Sequence, residues 1–354
     1  MFMRPAGLTE GALKTTMLLV GAVVAFSSLP AFGQVLGGAP PGITEQERQL
    51  EEAQRTDVFP LGVGVSLGQS MSAATFNRDE YVRRASYDLS LGVSPYWRIT
   101  PMLRLTAGIS VSQSVIENYD SSVTYRHRML LSDTSLGLSY ARIVVIPGID
   151  VNVGGSLGCS FPTSIQSRYR TLYMSSRAGL SLSRAAGPLF ISYGFSFFKN
   201  FNEYDQPAVD TGEEQYVVLA HFRGHEQLTT DLIATGGANT SFGIMNSLMV
   251  SWGITDELSL TVMYGLNQSW TYRSFPDDEY KAELADAGRG YRDAQSGTID
   301  VSYQLDEHLG ISAGVDTATA PKTADNQAWI FPFANFWDRY RNNTSIYLGV
   351  GGNF

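Results

Sequence analysis

The sequence predicts an all-β protein, a transmembrane antiparallel up-and-down β-barrel of about 12 strands. Three observations support this fold class. Apolar residues alternate with small or polar residues along one segment after another, and the connections between the segments are short and long in turn. The final segment keeps the alternation up to the last residue, Phe354. A strand with two different faces needs two different surroundings, which lipid outside a barrel and water inside it provide.

The N-terminal end is predicted to be a secretory signal peptide over residues 1–33. Arg4 and Lys14 flank the start of a short apolar run over 16–26, and small residues at cleavage spacing precede Gln34. The run is too short to span a bilayer comfortably, so cleavage is favoured over an uncleaved anchor. We therefore expect the mature chain to begin near Gln34.

Residues 34–57 are predicted to form a periplasmic linker and a short helix ahead of the barrel. Glycine and proline dominate the linker, and Thr44 and Glu47 have the spacing of a helix-opening capping box. The helix, over about 44–56, has almost no apolar face and cannot pack strongly. Residues 58–354 are predicted to be the β-barrel.

Alternation with a period of two marks twelve strands after residue 58. Twelve is an even number, as single-chain bacterial barrels require. The segment 201–238 offers two further short strands, so fourteen is the alternative. The predicted strands cover 58–70, 84–97, 102–115, 126–144, 149–160, 170–184, 188–200, 239–253, 257–272, 294–305, 308–317 and 341–354.

The connections provide an internal check on this count. Short turns join strands two to three, four to five, six to seven, eight to nine and ten to eleven, and long loops join the others. Short periplasmic turns and long external loops are typical of membrane barrels. A soluble sandwich has no reason to place every long connection at one end.

The last strand resembles the closing strand of bacterial outer-membrane β-barrels. Ile346, Leu348, Val350 and Phe354 share one face. In those proteins the C-terminal aromatic residue is read by the barrel-assembly machinery. The resemblance implies the outer membrane of a Gram-negative bacterium as location, and outer-membrane lipid, lipopolysaccharide and the assembly machinery as partners. It also implies Phe354 as the assembly signal.

A hairpin motif recurs three times, at 97–105, 252–260 and 303–311. Each copy places an aromatic residue just before a turn, where a girdle at the membrane surface is expected. The form aromatic-x-Ile-Thr-x-x-Leu-x-Leu resembles hairpins of outer-membrane transporters of the phenol-degradation meta-pathway type. This resemblance covers only the hairpins, implies passage of a small molecule, and carries over no site residue.

The inward parity of the predicted strands consists mostly of serine and glycine, which are too small to fill a twelve-strand lumen. A polar, weakly charged lumen suits uncharged or mildly polar solutes. The few larger inward residues either line the pore or, as the alternative, pair across it. These pore-lining candidates are Asp88, Arg104, Asp133, Asp150, Tyr173, Arg177, Asp300 and Asp316.

The long loop 201–238 is the candidate constriction, because loops of this length are usually functional or mobile. His221, Arg223, His225 and Glu226 are its candidate residues. The two histidines and the glutamate have the spacing of metal ligands on a helix, but no third histidine is nearby, so no metal site is predicted. No cofactor is predicted either.

The composition excludes some other functions. A net charge of −9 without a basic patch excludes nucleic acid as a partner. Cys159 is the only cysteine and forms no intramolecular disulfide. The four histidines show no compact catalytic signature with serine or aspartate, so no enzyme is predicted.

The sequence therefore predicts an outer-membrane channel or facilitated-diffusion transporter for small solutes. Two alternatives stay open. One is a surface-exposed structural or adhesive barrel with a blocked lumen, and the other is a polypeptide-export pore plugged by the helix at 44–56. An unobstructed lumen favours the channel, a stably packed loop favours the surface role, and a helix in the periplasmic mouth favours export.

Overall fold

The computed structural model describes residues 60–76, 86–116, 129–205, 208–210, 232–234, 238–274, 288–323, 326–333 and 344–354. The predicted signal peptide, linker and short helix lie outside these residues. The described chain is almost entirely β-strand, with a 3₁₀ turn at Ala73–Phe76 and one short helix, α1, at Ile165–Tyr169. No helix among the described residues is long and apolar enough to cross a membrane.

The strands follow one another along the chain as antiparallel neighbours. They are β1 Leu61–Ser72, β2 Tyr87–Thr100, β3 Leu103–Ile116, β4 Met129–Leu131, β5 Thr134–Ile146, β6 Val151–Phe161, β7 Leu172–Ala186, β8 Leu189–Asn202, β9 Ala208–Asp210, β10 Leu232–Ala234, β11 Thr240–Gly253, β12 Leu258–Ser274, β13 Gly288–Gln304, β14 Leu309–Thr319 and β15 Thr344–Asn353.

Pairing between the first and the last strand closes the sheet into a barrel. β1 pairs with β2 on one side and with β15 on the other, so no edge remains at this seam. The last residue extends the seam, because Val63 and Phe354 exchange backbone hydrogen bonds of 2.7 and 2.9 Å. The wall has twelve strand positions, with β4 and β5 sharing one of them. The predicted twelve-strand antiparallel barrel is confirmed.

The fourteen-strand alternative is wrong. Ala208–Asp210 and Leu232–Ala234 do form two short strands within the segment 201–238. They pair with each other and with no strand of the wall. A wall strand must bond to a neighbour on each side, and these two do not.

The fourth predicted strand, 126–144, is interrupted. It consists of β4 and β5, separated at Ser132 and Asp133. Both parts still pair with β3, which holds them in one wall position. The interruption places the Asp133 carboxylate against the connection after β6, as described below.

The two ends of the barrel differ as the sequence predicts. Turns of two to four residues join β2 to β3, β5 to β6, β7 to β8, β11 to β12 and β13 to β14. We call this side the turn end and the opposite side the loop end. Gly148 and Gly187 take φ angles of 88° and 62° in two of the tight turns, where a side chain would be strained.

The outer face of the wall is apolar. Leu67, Leu157, Leu180 and Leu348 are each 45–62 % exposed on it. Trp97, Trp252 and Tyr303 form an exposed aromatic group near the turn end. A belt of this kind is far larger than the apolar patches that proteins leave in water. The barrel therefore spans a membrane, with its outer face in the hydrocarbon.

A second aromatic group lies on the outer face toward the loop end. The rings of Phe197, Phe242, Trp270 and Tyr291 form a row across four neighbouring strands, with centroid separations of 6.2, 5.2 and 5.4 Å. Aromatic side chains favour the two membrane–water interfaces. The two aromatic groups thus bound the apolar belt on both sides.

Candidate functional site: the lumen and its loop-end mouth

The inner face between β11 and β14 consists of small, buried polar side chains. Ser251, Ser259, Thr261, Ser302 and Ser312 are each at most 4 % exposed. Neighbours on adjacent strands bond to one another, as in the 2.8 Å hydrogen bond between the hydroxyls of Ser259 and Ser302. This part of the wall is polar, and hydroxyl groups on adjacent strands bond to one another in the Ser259–Ser302 and Thr261–Ser251 pairs.

Two of the pore-lining candidates lie on neighbouring strands of this side. Asp300 on β13 is 3 % exposed and accepts a hydrogen bond of 2.7 Å from the Tyr347 hydroxyl on β15. Asp316 on β14 is 7 % exposed, and its Oδ1 atom is buried without a hydrogen-bond partner. Tyr347 therefore packs against the wall instead of projecting freely into the lumen.

Arg104 lies near the turn end of β3, where it stacks on an aromatic ring. Its guanidinium carbon is 3.7 Å from the centroid of Tyr96, and the Arg98 guanidinium lies 5.1 Å from the same ring. Arg98 also donates a hydrogen bond of 3.2 Å to the Tyr96 hydroxyl. Tyr96 crosses the inner face toward Gly62, where a Cβ atom would come within 2.3 Å of the ring.

Arg177 and Asp88 lie on other parts of the wall. Arg177 is on β7, opposite Gly158 of β6 and Phe198 of β8. Asp88 is near the loop end of β2 and accepts a hydrogen bond from the Ser114 hydroxyl on β3. The structure therefore distributes these two charges around the barrel and does not bring them together with Asp300 and Asp316.

Two candidates fall outside the regular alternation. Asp150 lies in the exposed turn before β6, with a φ of 50°, and so sits at the rim of the turn end and not on the wall. Tyr173 lies at a register shift between β7 and β8, next to the buried Leu172, and is 62 % exposed. One extra residue in a strand reverses the faces on either side of it, so parity alone does not place Tyr173.

The candidate constriction residues His221, Arg223, His225 and Glu226 lie outside the described residues. Among the described residues, no group of three or more histidine, cysteine, aspartate or glutamate side chains has the arrangement of a metal site.

The connection between β6 and β7 begins on the inner face of the wall. We call residues 162–171 the mouth segment. The Asp133 carboxylate accepts a hydrogen bond of 2.9 Å from the Ser164 backbone N–H, and another from the Ser167 hydroxyl. Ser164 also caps α1 by accepting from the Ser167 backbone N–H at 3.1 Å. All three side chains are at least nine-tenths buried.

The other end of the mouth segment is fixed to strands farther around the barrel. The Arg170 carbonyl accepts hydrogen bonds from the side-chain amides of Asn202, at 2.6 Å, and Asn239, at 2.9 Å. Asn202 ends β8 and Asn239 precedes β11. The mouth segment is thus anchored to β5 at its start and to the β8–β11 side at its end, across part of the loop-end mouth.

Two arginines, Arg170 and Arg292, lie close enough to interact electrostatically near this anchor. Arg292 of β13 donates a hydrogen bond of 3.3 Å to the carbonyl of Ala238, the residue before Asn239. Burial and the Arg292 charge both lower the pKa of Arg170, and Asp133 only partly opposes them. The mouth segment therefore brings positive charge to the loop end of the lumen.

The sequence analysis identified Asp133 but not its partners. Residues 161–169 follow β6 as a short loop, and nothing in their spacing shows that they turn inward. The local signal was Ser164, which begins a helical turn as an N-cap. The contacts to Asn202 and Asn239 link positions far apart in sequence, and only the barrel topology brings them together.

No family model matches the sequence, and no curated protein matches it. The similar solved structures include the COG4313 outer membrane channel from Pseudomonas putida F1, with a TM-score of 0.46 and 11% identity over 85% of this chain and 99% of that chain. The KdgM porin in complex with disordered oligogalacturonate has a TM-score of 0.40 and 8% identity over 82% of this chain and 99% of that chain. The NanC porin has a TM-score of 0.40 and 11% identity over 82% of this chain and 98% of that chain.

The class of protein follows from the geometry of the chain itself. Twelve antiparallel strands close through β1 and β15, the outer face is an apolar belt between two aromatic groups, and long connections gather at one end. Each of these is a property of barrels that cross the outer membrane of Gram-negative bacteria. The chain is a β-barrel of the bacterial outer-membrane type.

Proposed function

We propose that this protein is an outer-membrane channel through which small solutes diffuse. The observation that carries the proposal is the closed twelve-strand wall with a small, polar inner face. A barrel of this size encloses more space than serine and glycine side chains fill. The sequence contains no nucleotide-binding motif, so the driving force is the solute gradient.

The chemistry of the inner wall supports small, uncharged or mildly polar solutes. Hydroxyl groups dominate the inner face between β11 and β14, and they are polar without carrying a charge. Asp300 is engaged by Tyr347, and the large aromatic side chain of Tyr96 is held near the turn end by Arg104. These side chains narrow the lumen.

The mouth segment is the constriction that the described residues support best. It is anchored at both ends, to Asp133 and to the Asn202–Asn239 pair, so it holds a fixed position across part of the opening. A constriction by loop 201–238 stays a prediction beside it. Selection then depends on the cross-section left beside the mouth segment and on the side chains that border it.

The last residue, Phe354, is the proposed assembly signal. Phe354 is 63 % exposed and stacks on His308 at 6.1 Å, so its ring is accessible at the turn end. This supports a role as the signal that the assembly machinery reads. Outer-membrane lipid and lipopolysaccharide are the proposed neighbours of the outer face. We propose no catalytic activity.

Single-channel recording tests the proposal. The purified, refolded barrel is inserted in a planar bilayer, after the usual mobility shift between heated and unheated samples on a gel has shown that it is folded. Stepwise, steady conductance is expected, and liposomes that contain the protein are expected to swell in small neutral sugars but not in large ones. A folded barrel that neither conducts nor passes sugars would overturn the channel and favour a surface-interaction role.

A further inference from the structure

Arg170 and Arg292 form a cationic pair at the loop-end mouth. They belong to different elements, the mouth segment and β13, and both are bonded to the junction of Ala238 and Asn239. The Asn239 side chain holds the Arg170 carbonyl, and the neighbouring Ala238 carbonyl accepts from the Arg292 guanidinium. Both residues are half-buried, so neither is sealed off from solvent.

The carboxylate near this pair is already engaged. Asp133 attracts Arg170, but its two oxygens accept hydrogen bonds from the Ser164 N–H and the Ser167 hydroxyl. Each guanidinium carries five N–H donors in a planar fork, and the bond to Ala238 uses one of the five from Arg292. The positive charges of Arg170 and Arg292 repel each other, and an anion between them relieves the repulsion.

The backbone around the pair is fixed. The Arg170 carbonyl accepts from Asn202, Asn239 and the Thr171 hydroxyl, at 2.6, 2.9 and 2.7 Å. Three donors on one carbonyl hold the backbone of Arg170 in place, so its side chain extends from a fixed point at the mouth. A site whose charges are held before the ligand arrives binds it with less loss of entropy.

We propose that Arg170 and Arg292 form an anion-binding site at the loop-end mouth, which selects small solutes that carry a carboxylate or phosphate group. This inference rests on the proposed channel function and adds a class of anionic solutes to the uncharged or mildly polar ones. Planar guanidinium forks pair with such oxyanions through two parallel hydrogen bonds, a geometry that chloride does not use. Neutral solutes pass the same mouth without this interaction.

Reversal potentials of single channels test the site. The folded protein and the variants Arg170→Gln, Arg292→Gln and the double variant are recorded in a gradient of potassium chloride, then with acetate, and then with inorganic phosphate. Removing one guanidinium is expected to lower the permeability of anions relative to cations roughly twofold. This estimate takes about 8 Å of water between the passing ion and the guanidinium. The double variant is expected to lose the preference for acetate and phosphate over chloride.

Two control variants keep the test specific. Arg168→Gln removes an exposed positive charge from α1, the helix that ends just before Arg170, and is expected to leave the permeability ratios unchanged. Arg170→Lys keeps the positive charge but loses the planar, forked set of donors of the guanidinium. It is expected to keep the preference for anions over cations and to lose the preference for acetate over chloride.

The outcomes separate this inference from the channel proposal. A folded wild-type barrel that never conducts overturns the channel itself. A conducting barrel whose permeability ratios are the same in the wild type and the double variant overturns the anion site and leaves the channel standing. An equal loss in Arg168→Gln also overturns the site, because it would show a general effect of surface charge. Acetate preference without phosphate preference restricts the site to carboxylates.

Discussion

The side-chain amide of Asn239 donates a hydrogen bond of 2.9 Å to the backbone carbonyl of Arg170, which lies 69 residues earlier in the chain. The same amide donates at 3.0 Å to the carbonyl of Tyr204. Asn239 is 3 % exposed, so one buried side chain joins the mouth segment, the end of β8 and the start of β11. The position of the mouth segment therefore depends on a contact that no local sequence pattern encodes.

Replacing Asn239 by alanine is expected to loosen the mouth segment. The substitution leaves two partly buried carbonyls, those of Arg170 and Tyr204, with one donor fewer, at a cost of about 1 kcal/mol each in the free energy of unfolding. Single-channel traces are expected to show more frequent current fluctuations, because Asn202 alone then fixes the Arg170 carbonyl from the wall. Asn246→Ala is the matched control, since Asn246 bonds to the exposed Tyr193 hydroxyl on the outer face. Traces as quiet as the wild type's in Asn239→Ala would contradict this anchor.

Replacing Tyr347 by phenylalanine is expected to destabilise the barrel. The change removes the hydroxyl that donates to the buried Asp300 carboxylate at 2.7 Å and leaves the ring in place. A hydrogen bond to a charged group contributes roughly 2 kcal/mol, and a buried acceptor left unsatisfied costs at least as much. Urea-induced unfolding in lipid vesicles measures the loss.

Tyr303→Phe is the control for this prediction, because the Tyr303 side chain is 45 % exposed on the outer face. We expect it to change the unfolding midpoint far less than Tyr347→Phe does. Equal effects of the two variants would show that the bond to Asp300 contributes nothing specific.

The wall was predictable from sequence because its strands alternate between apolar residues that face lipid and small or polar residues that face the lumen. Each wall strand corresponds to a predicted segment, and most strand ends agree to within a few residues. The largest difference is at β13, which starts at Gly288 instead of near 294. Among the extra residues, Arg289 and Tyr291 lie beside the outer aromatic row, with the Arg289 guanidinium 5.3 Å from the Phe242 ring and the Tyr291 ring 5.4 Å from Trp270. Alternation in hydrophobicity fades there, so it marks the lipid-facing part of a strand and not its end.

The mouth was harder to predict, because its contacts are long-range or break the alternation. Asp133 was placed by parity, but its role depends on the break between β4 and β5 and on Ser164, 31 residues later. Tyr173 lies at a single register shift before Met174, where parity does not decide which face a side chain occupies. Asp150 has the spacing of a strand residue but takes a turn conformation.

Gly62 is expected to tolerate no side chain at the closing seam. A Cβ atom there would lie 2.3 Å from the Tyr96 ring and 2.7 Å from the carbonyl oxygen of Phe354. Gly62→Ala must therefore displace Tyr96, on which Arg104 stacks, or open the seam, at a cost of about 1–3 kcal/mol. The fraction refolded into vesicles, measured by heat modifiability on a gel, is expected to fall.

Gly137→Ala is the matched control at another glycine of the inner face. The nearest atoms to its added Cβ lie 4.0 Å away, which is ordinary contact. We expect this variant to refold as the wild type does. If both alanine variants refold equally well, then Tyr96 yields without cost and the seam does not depend on Gly62.

The turn between β13 and β14 provides a prediction about pH. The Asp306 carboxylate accepts hydrogen bonds from the backbone N–H groups of His308 and Leu309, at 2.7 and 2.8 Å. These bonds lower the pKa of Asp306 below its ordinary value of 3.8, and the His308 charge adds to the effect. The ionised carboxylate is therefore preferred in the folded turn.

The sign of the pH dependence follows from this lowered pKa. A group whose pKa is lower in the folded state stabilises the fold fully above its unfolded pKa, near 3.8, and loses that contribution as the pH falls through the folded value. Asp306→Asn keeps an acceptor oxygen but cannot ionise. The wild type is thus expected to have the higher urea midpoint at pH 7, and the difference between the two is expected to shrink steadily below pH 4. A difference that stays constant from pH 7 to pH 3 would show that the charge on Asp306 does not stabilise the turn.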